Sequence, residues 1–88
     1  MEFDSALEWY AGQSRDAAEK FAAQIDIALR RIEEAPERNR LVRAPLRRLI
    51  VRGFPYGVYY MVDAEIITVV GVVHGRRNLR RWLRRARW

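Results

Sequence analysis

Cysteine is absent from the 88 residues, and there is only one histidine (His74) and one lysine (Lys20). Without thiols there is neither a disulfide framework nor a thiolate metal site, which fits a reducing cytoplasm. A lone histidine excludes a multi-histidine metal centre, so no metal or cofactor is expected. No apolar run approaches the roughly 20 residues of a membrane span, and the N-terminus lacks the basic-then-apolar pattern of an export signal. No membrane partner is expected either. With no repeat and no Gly/Ser/Pro-rich linker to divide it, the chain reads as one domain, 1–88.

What is present is arginine, unevenly placed. Residues 1–37 carry nine acids against four bases, net −5, whereas residues 38–88 carry thirteen arginines against Asp63 and Glu65, net +11. Charge separated to this degree implies one functional face and an anionic partner. The densest stretch, HGRRNLRRWLRRARW at 74–88, holds seven arginines and no acid. Half of all residues are hydrophobic, enough for one core. A chain this short nonetheless buries only about 60–65% of its unfolded surface, so its stability leans on few contacts.

The hydrophobic spacing predicts helices first and strands after. DSALEWYAG reads as a short helix with Asp4 or Ser5 as its N-cap and Gly12 at its end. Ser14 caps a second helix over 15–35, where Ala18, Phe21, Ala22, Ile25, Ala28, Leu29 and Ile32 form one stripe and Pro36 stops it. The two make an antiparallel hairpin. After an arginine-rich connection the period falls to two, giving strands at 47–54, 56–62 and 66–74. Gly53-Phe54-Pro55 breaks the first strand from the second, and Asp63-Ala64-Glu65 turns into the third. The third strand is apolar on both faces, as expected of a central strand. Strict alternation along it sets Ile67, Val69 and Val73 against the helices and His74 at the rim of the opposite, more open face. Leu79, Trp82, Leu83 and Ala86 follow at helical spacing, so a short basic helix closes the chain, with Arg80, Arg81, Arg84, Arg85 and Arg87 on its flanks. The expected class is α+β, a helical hairpin packed on a small antiparallel sheet of three strands from residues 47–74. Leu29→Ala is expected to remove about 2–5 kcal/mol.

With these elements in place, the chain resembles the RelE/ParE superfamily of type II toxin–antitoxin toxins. The resemblance runs over residues 6–82. It rests on the WY ending the first helix, the F…I…AL…I stripe, the helix-ending proline, FPYGVYY, and the VVHGRR exit from the last strand. It implies a toxin neutralised by a cognate antitoxin, which the charge division suggests is small, acidic and partly disordered, in a toxin–antitoxin hetero-oligomer. The family's usual N-terminal strand has no counterpart ahead of ALEWY, which implies a misassigned start, a trimmed chain or a sheet without that strand; in the last case a neighbouring strand is left open to pairing with another chain.

The superfamily divides by target. RelE-like members cut mRNA in the ribosome, and ParE-like members poison DNA gyrase by binding. The resemblance carries the nuclease set over only in part. Arg48 and Arg52 lie on the right strand, Ile50 stands where a lysine is expected, and Gly57 occupies the place of the strand arginine. Arg76 or Arg77 matches the arginine after the last strand, and the C-terminus lacks tyrosine and histidine. Arginine is a poor proton donor, which leaves His74 as the one group titrating near neutrality. A nuclease would therefore rest on His74, Arg48, Arg52 and Arg77. A gyrase poison would contact its target through His74, Arg76, Arg77, Arg80, Arg81 and Trp82. The expectation is a ParE-like gyrase inhibitor. A ribosome-dependent endoribonuclease and an inactive relative that acts only in the antitoxin complex stand as alternatives. Trp9 and Tyr10 are expected in the core or facing the antitoxin, and Tyr56, Tyr59 and Tyr60 as packing residues.

Overall fold

A computed structural model describes residues 2–74, with side chains from Ala6 onward. Two helices, α1 (Glu2–Gln13) and α2 (Arg15–Glu34), precede four strands, β1 (Arg40–Arg43), β2 (Leu46–Ile50), β3 (Tyr56–Asp63) and β4 (Ile66–His74). The strands form one sheet in the order β1-β2-β3-β4, each antiparallel to its neighbour. The class is α+β, as the sequence indicates. The basic C-terminal helix expected from the sequence, and with it Arg76, Arg77, Arg80, Arg81 and Trp82, falls outside the described residues.

One residue joins the helices. Ser14 is fully extended (φ −172°, ψ 154°), which breaks the helical path. Its N–H donates to Tyr10 O at 3.0 Å and closes α1, while its Oγ accepts from Ala17 N at 2.9 Å and opens α2. The N-cap at Ser14 is as the sequence indicates. The start of α1 is not. The helix already runs at Glu2, so Asp4 and Ser5 lie inside it, and Gly12 lies one residue short of its end. Neither glycine nor proline precedes Gly12, so nothing local holds the helix back.

Helix α2 buries Phe21, Ile25, Ala28 and Ile32, the axis of the expected stripe. Leu29 sits at the flank, half-buried. Its truncation therefore costs less than that of Ile32. The Ala35 N–H donates to Arg31 O at 3.3 Å as the last helical bond before Pro36.

The sheet departs from the sequence reading in three respects. The arginine-rich connection contains a fourth strand, β1, whose Arg40 and Leu41 pair with Arg48 and Arg47 of β2. Its RLVR sequence is too short and too charged to register as a hydrophobic pattern. Strand β4 is an edge strand, with β3 between it and β2. Its first half is exposed apart from Ile67, and Ile66 is 68% exposed. An apolar run reads the same in the middle of a sheet or at its border.

The third departure is a bulge in β4. Tyr59 pairs with Gly71 and Tyr60 with Val69, so Val70 is an extra residue. A single added residue reverses the alternation beyond it. Ile67 stays on the helix side and Val70 on the opposite side, but beyond the bulge Val72 joins Ile67 and Val73 turns to the side of Val70. His74 faces the helix side too, against Tyr56. The expected faces of Val73 and His74 are thus exchanged.

Two clusters result. Between helices and sheet lie Ala6, Phe21, Ile25 and Ile32 with Val51, Val58, Tyr60 and Val72. On the other face Leu46, Tyr59 and Val73 are buried with Val42, Met61 and Val70 packed against them. Tyr60 reaches from the first cluster to the end of α2. Its hydroxyl donates to Pro36 O at 2.6 Å and accepts from Asn39 Nδ2 at 3.0 Å. Arg47 holds the same loop, donating from one guanidinium nitrogen to Glu37 O at 3.0 Å and Asn39 O at 2.7 Å.

Two stability predictions follow from this packing. Ile32→Ala should cost about 2–5 kcal/mol in urea unfolding, and more than Leu29→Ala. Tyr60→Phe keeps the ring and deletes the clamp, so it should cost about 1–3 kcal/mol through the partners left behind. Equal costs for Ile32→Ala and Leu29→Ala, or an unchanged midpoint for Tyr60→Phe, would contradict the assignment.

Candidate functional site

The described candidates are Arg48, Arg52 and His74, and the fold sends each somewhere different. Arg48 stands on β2 opposite Tyr59, on the face away from the helices. Its stem lies across Gly57. A Cβ built at Gly57 would come within 3.0 Å of Arg48 Cγ, 3.1 Å of Arg48 Cδ and 3.2 Å of Tyr59 Cε1. The glycine thus provides the space in which the arginine of the neighbouring strand rests.

Across from Arg48 on β1 is Arg40, its direct antiparallel partner. Like charges directly opposite one another repel, and an anion shared between two guanidinium groups removes that repulsion. Sequence reasoning missed Arg40 because it missed the strand that carries it. Three ion pairs, Arg15–Glu19, Lys20–Asp16 and Arg30–Asp26, lie along the exposed surface of α2. They leave the charge of this arginine pair in place.

Arg52 is exposed in the turn between β2 and β3, where Gly53 adopts a positive φ of 82° that favours glycine. It lines a groove of about 160 Å³ with Gln24, Ile27, Ala28, Arg31, Leu49 and Ile50.

His74 ends β4, half-buried, with its ring edge-on to Tyr56 at 5.3 Å. Tyr56 in turn meets Phe21 at 5.4 Å and Tyr10 at 6.4 Å. Tyr10 packs on Phe21 and Phe54, and burial among these rings pushes its hydroxyl pKa above the ordinary tyrosine value. Trp9 stacks edge-on against Tyr10 at 4.8 Å and is 59% exposed. Tyr10 therefore belongs to the core margin and Trp9 to the surface.

Arg48 and His74 thus occupy opposite faces of the sheet, and Arg52 lies on the far side of β3 from His74. The imidazole is therefore not brought together, among the described residues, with Arg48 or Arg52. Among the described residues, no three carboxylate or imidazole groups cluster as metal ligands, and no helix is long and apolar enough to cross a membrane.

Comparison with known proteins accords with this architecture. The family model for the ParE toxin of type II toxin–antitoxin systems matches residues 2–79. A curated relative, Toxin RelE2 of Caulobacter vibrioides, is 36% identical over 74 residues, which are 83% of this chain and 83% of the relative. No solved structure shows a significant match. The chain belongs to the ParE toxin family, within the RelE/ParE superfamily of type II toxin–antitoxin toxins, and its family implies a cognate antitoxin as partner.

Proposed function

We propose that the chain, as a single toxin domain over 1–88, is a ParE-like toxin that inhibits DNA gyrase by binding it. The observation that carries this reading is the separation of His74 from Arg48 across the sheet. Cleavage by attack of a 2′-hydroxyl needs a proton-transfer group and charge-stabilising cations around one phosphate. Gly57 supports the same reading, since the strand that would carry another cation presents no side chain there. A binding toxin needs only a complementary surface. In the sequence, His74 leads into Arg76, Arg77, Arg80, Arg81 and Trp82, a concentration of the residue types that dominate protein interfaces.

A specific observation favours the second reading, a RelE-like mRNA endoribonuclease. Arg40 and Arg48 form a cationic pair on one sheet face, suited to a phosphate backbone. The name of the Caulobacter relative points the same way.

The two readings separate in a pair of assays, one with translating ribosomes and one with gyrase and supercoiled DNA. Trapped gyrase–DNA breaks with intact mRNA are expected, whereas cut mRNA with unaffected gyrase would reverse the assignment. His74→Ala should change gyrase inhibition only mildly; for a nuclease it would cost roughly 10²–10⁴ in cleavage rate. Trp82→Ala or Arg77→Ala should weaken gyrase binding by about 2 kcal/mol, roughly thirtyfold.

A further inference from the structure

The two borders of the sheet are unlike. Strand β1 is four residues long, begins and ends in arginine, and carries a register shift. Short length, charge and irregularity all guard an edge against a further strand. Strand β4 has nine residues and no charged side chain. Its second half is buried from Gly71 to Val73, with α1 packed against the strand. Its first half is open: Ile66 and Thr68 are exposed, and Val69 is 37% exposed.

The register fixes where the backbone groups of β4 go. Val51 N donates to Tyr56 O at 2.8 Å, and Leu49 and Arg47 pair with Val58 and Tyr60 on the same alternation. Even-numbered residues of β3 therefore direct their N–H and C=O to β2, and odd-numbered ones turn to β4. There Met61 meets Thr68 and Asp63 meets Ile66. Ile67 and Val69 are left aiming their N–H and C=O away from the sheet, where no strand among the described residues pairs with them.

We propose that a second copy of this chain pairs here, β4 against β4, antiparallel about a two-fold axis through Thr68. Ile67 of each copy then lies opposite Val69 of the other, each pair exchanging both N–H···O bonds. Thr68 meets its own counterpart at the axis, a non-hydrogen-bonded pair whose hydroxyls come within reach of each other. Other registers fail. An axis through Ile67 would set Val69 against Glu65, which belongs to the turn, and one through Val69 would set Ile67 against Gly71, whose backbone serves Tyr59 of β3. With the axis at Thr68, the two Glu65 carboxylates stand at opposite ends of the shared edge and do not repel. Pairing also takes Ile66 and Val69 out of water. An acidic peptide suits this edge less, because β4 offers it no cation. The shared edge is short, so the dimer is a weak, concentration-dependent one. It is independent of which target the toxin inhibits.

The chain has no cysteine, so a single introduced thiol reports the register. In the full-length toxin, Thr68→Cys should give a disulfide-linked dimer on mild oxidation, because directly opposed non-hydrogen-bonded residues lie within disulfide reach. Ile66→Cys should not at the same concentration, since its two copies stand about 13 Å apart along the joined strands. Sedimentation of the wild-type toxin should show a monomer–dimer equilibrium. Thr68→Lys places like charges face to face and should raise the dimer dissociation constant at least about tenfold. Leu41→Lys, on the opposite border of the sheet, should change it less than about threefold. A wild-type toxin that stays monomeric up to about 1 mM, leaving the edge to some other chain, overturns the proposal. So does equal cross-linking of the two cysteine variants, or an equal response to the two lysines. If Thr68→Lys does not fold, the cysteine pair decides alone.

Discussion

The hydroxyl of Tyr60 ties the two halves of the molecule together. Its ring lies in the core between helices and sheet, while its oxygen bonds to Pro36 and Asn39 at the point where the chain leaves α2. With Arg47 bonded to the same loop, the start of β1 is fixed relative to β2. The register of β1 in turn decides that Arg40 faces Arg48 and that pairing stops short of Ile50. A phenol buried in a small core is stable only with its oxygen satisfied, and here that requirement positions a whole strand.

The helical half was legible because its signals are local. Ser14 caps α2 through its own Oγ, and the Phe21–Ile25–Ala28–Ile32 stripe appears in the sequence at the spacing it buries. The sheet was legible where β-branched and aromatic residues run together, as in β3. It was illegible in β1, where Arg40 and Arg43 flank two apolar residues and strand formation depends on pairing with β2. The border position of β4 depends on which strand lies next to which, and a list of apolar residues does not contain that.

At the candidate site the divide has the same cause. Residue types and chain positions of Arg48, Arg52 and His74 were readable; their faces were not. One unpaired residue, Val70, turns His74 to the side of Tyr56, and nothing in IITVVGVVH marks where alternation fails except the glycine beside it. Gly71 was the available signal, since an isolated glycine in a strand often accompanies a bulge. The contact of Arg48 with Gly57 was hidden differently. Two residues nine apart in sequence become neighbours only through the β2–β3 register.

That contact also restricts how this lineage can change. The space above Gly57 already holds the arginine stem from the next strand. A side chain acquired at position 57 would press its Cβ against that stem at 3.0 to 3.1 Å, so the stem must give by a few tenths of an ångström. Position 57 therefore couples the two strands: a substitution on β3 also shifts the arginine that β2 carries.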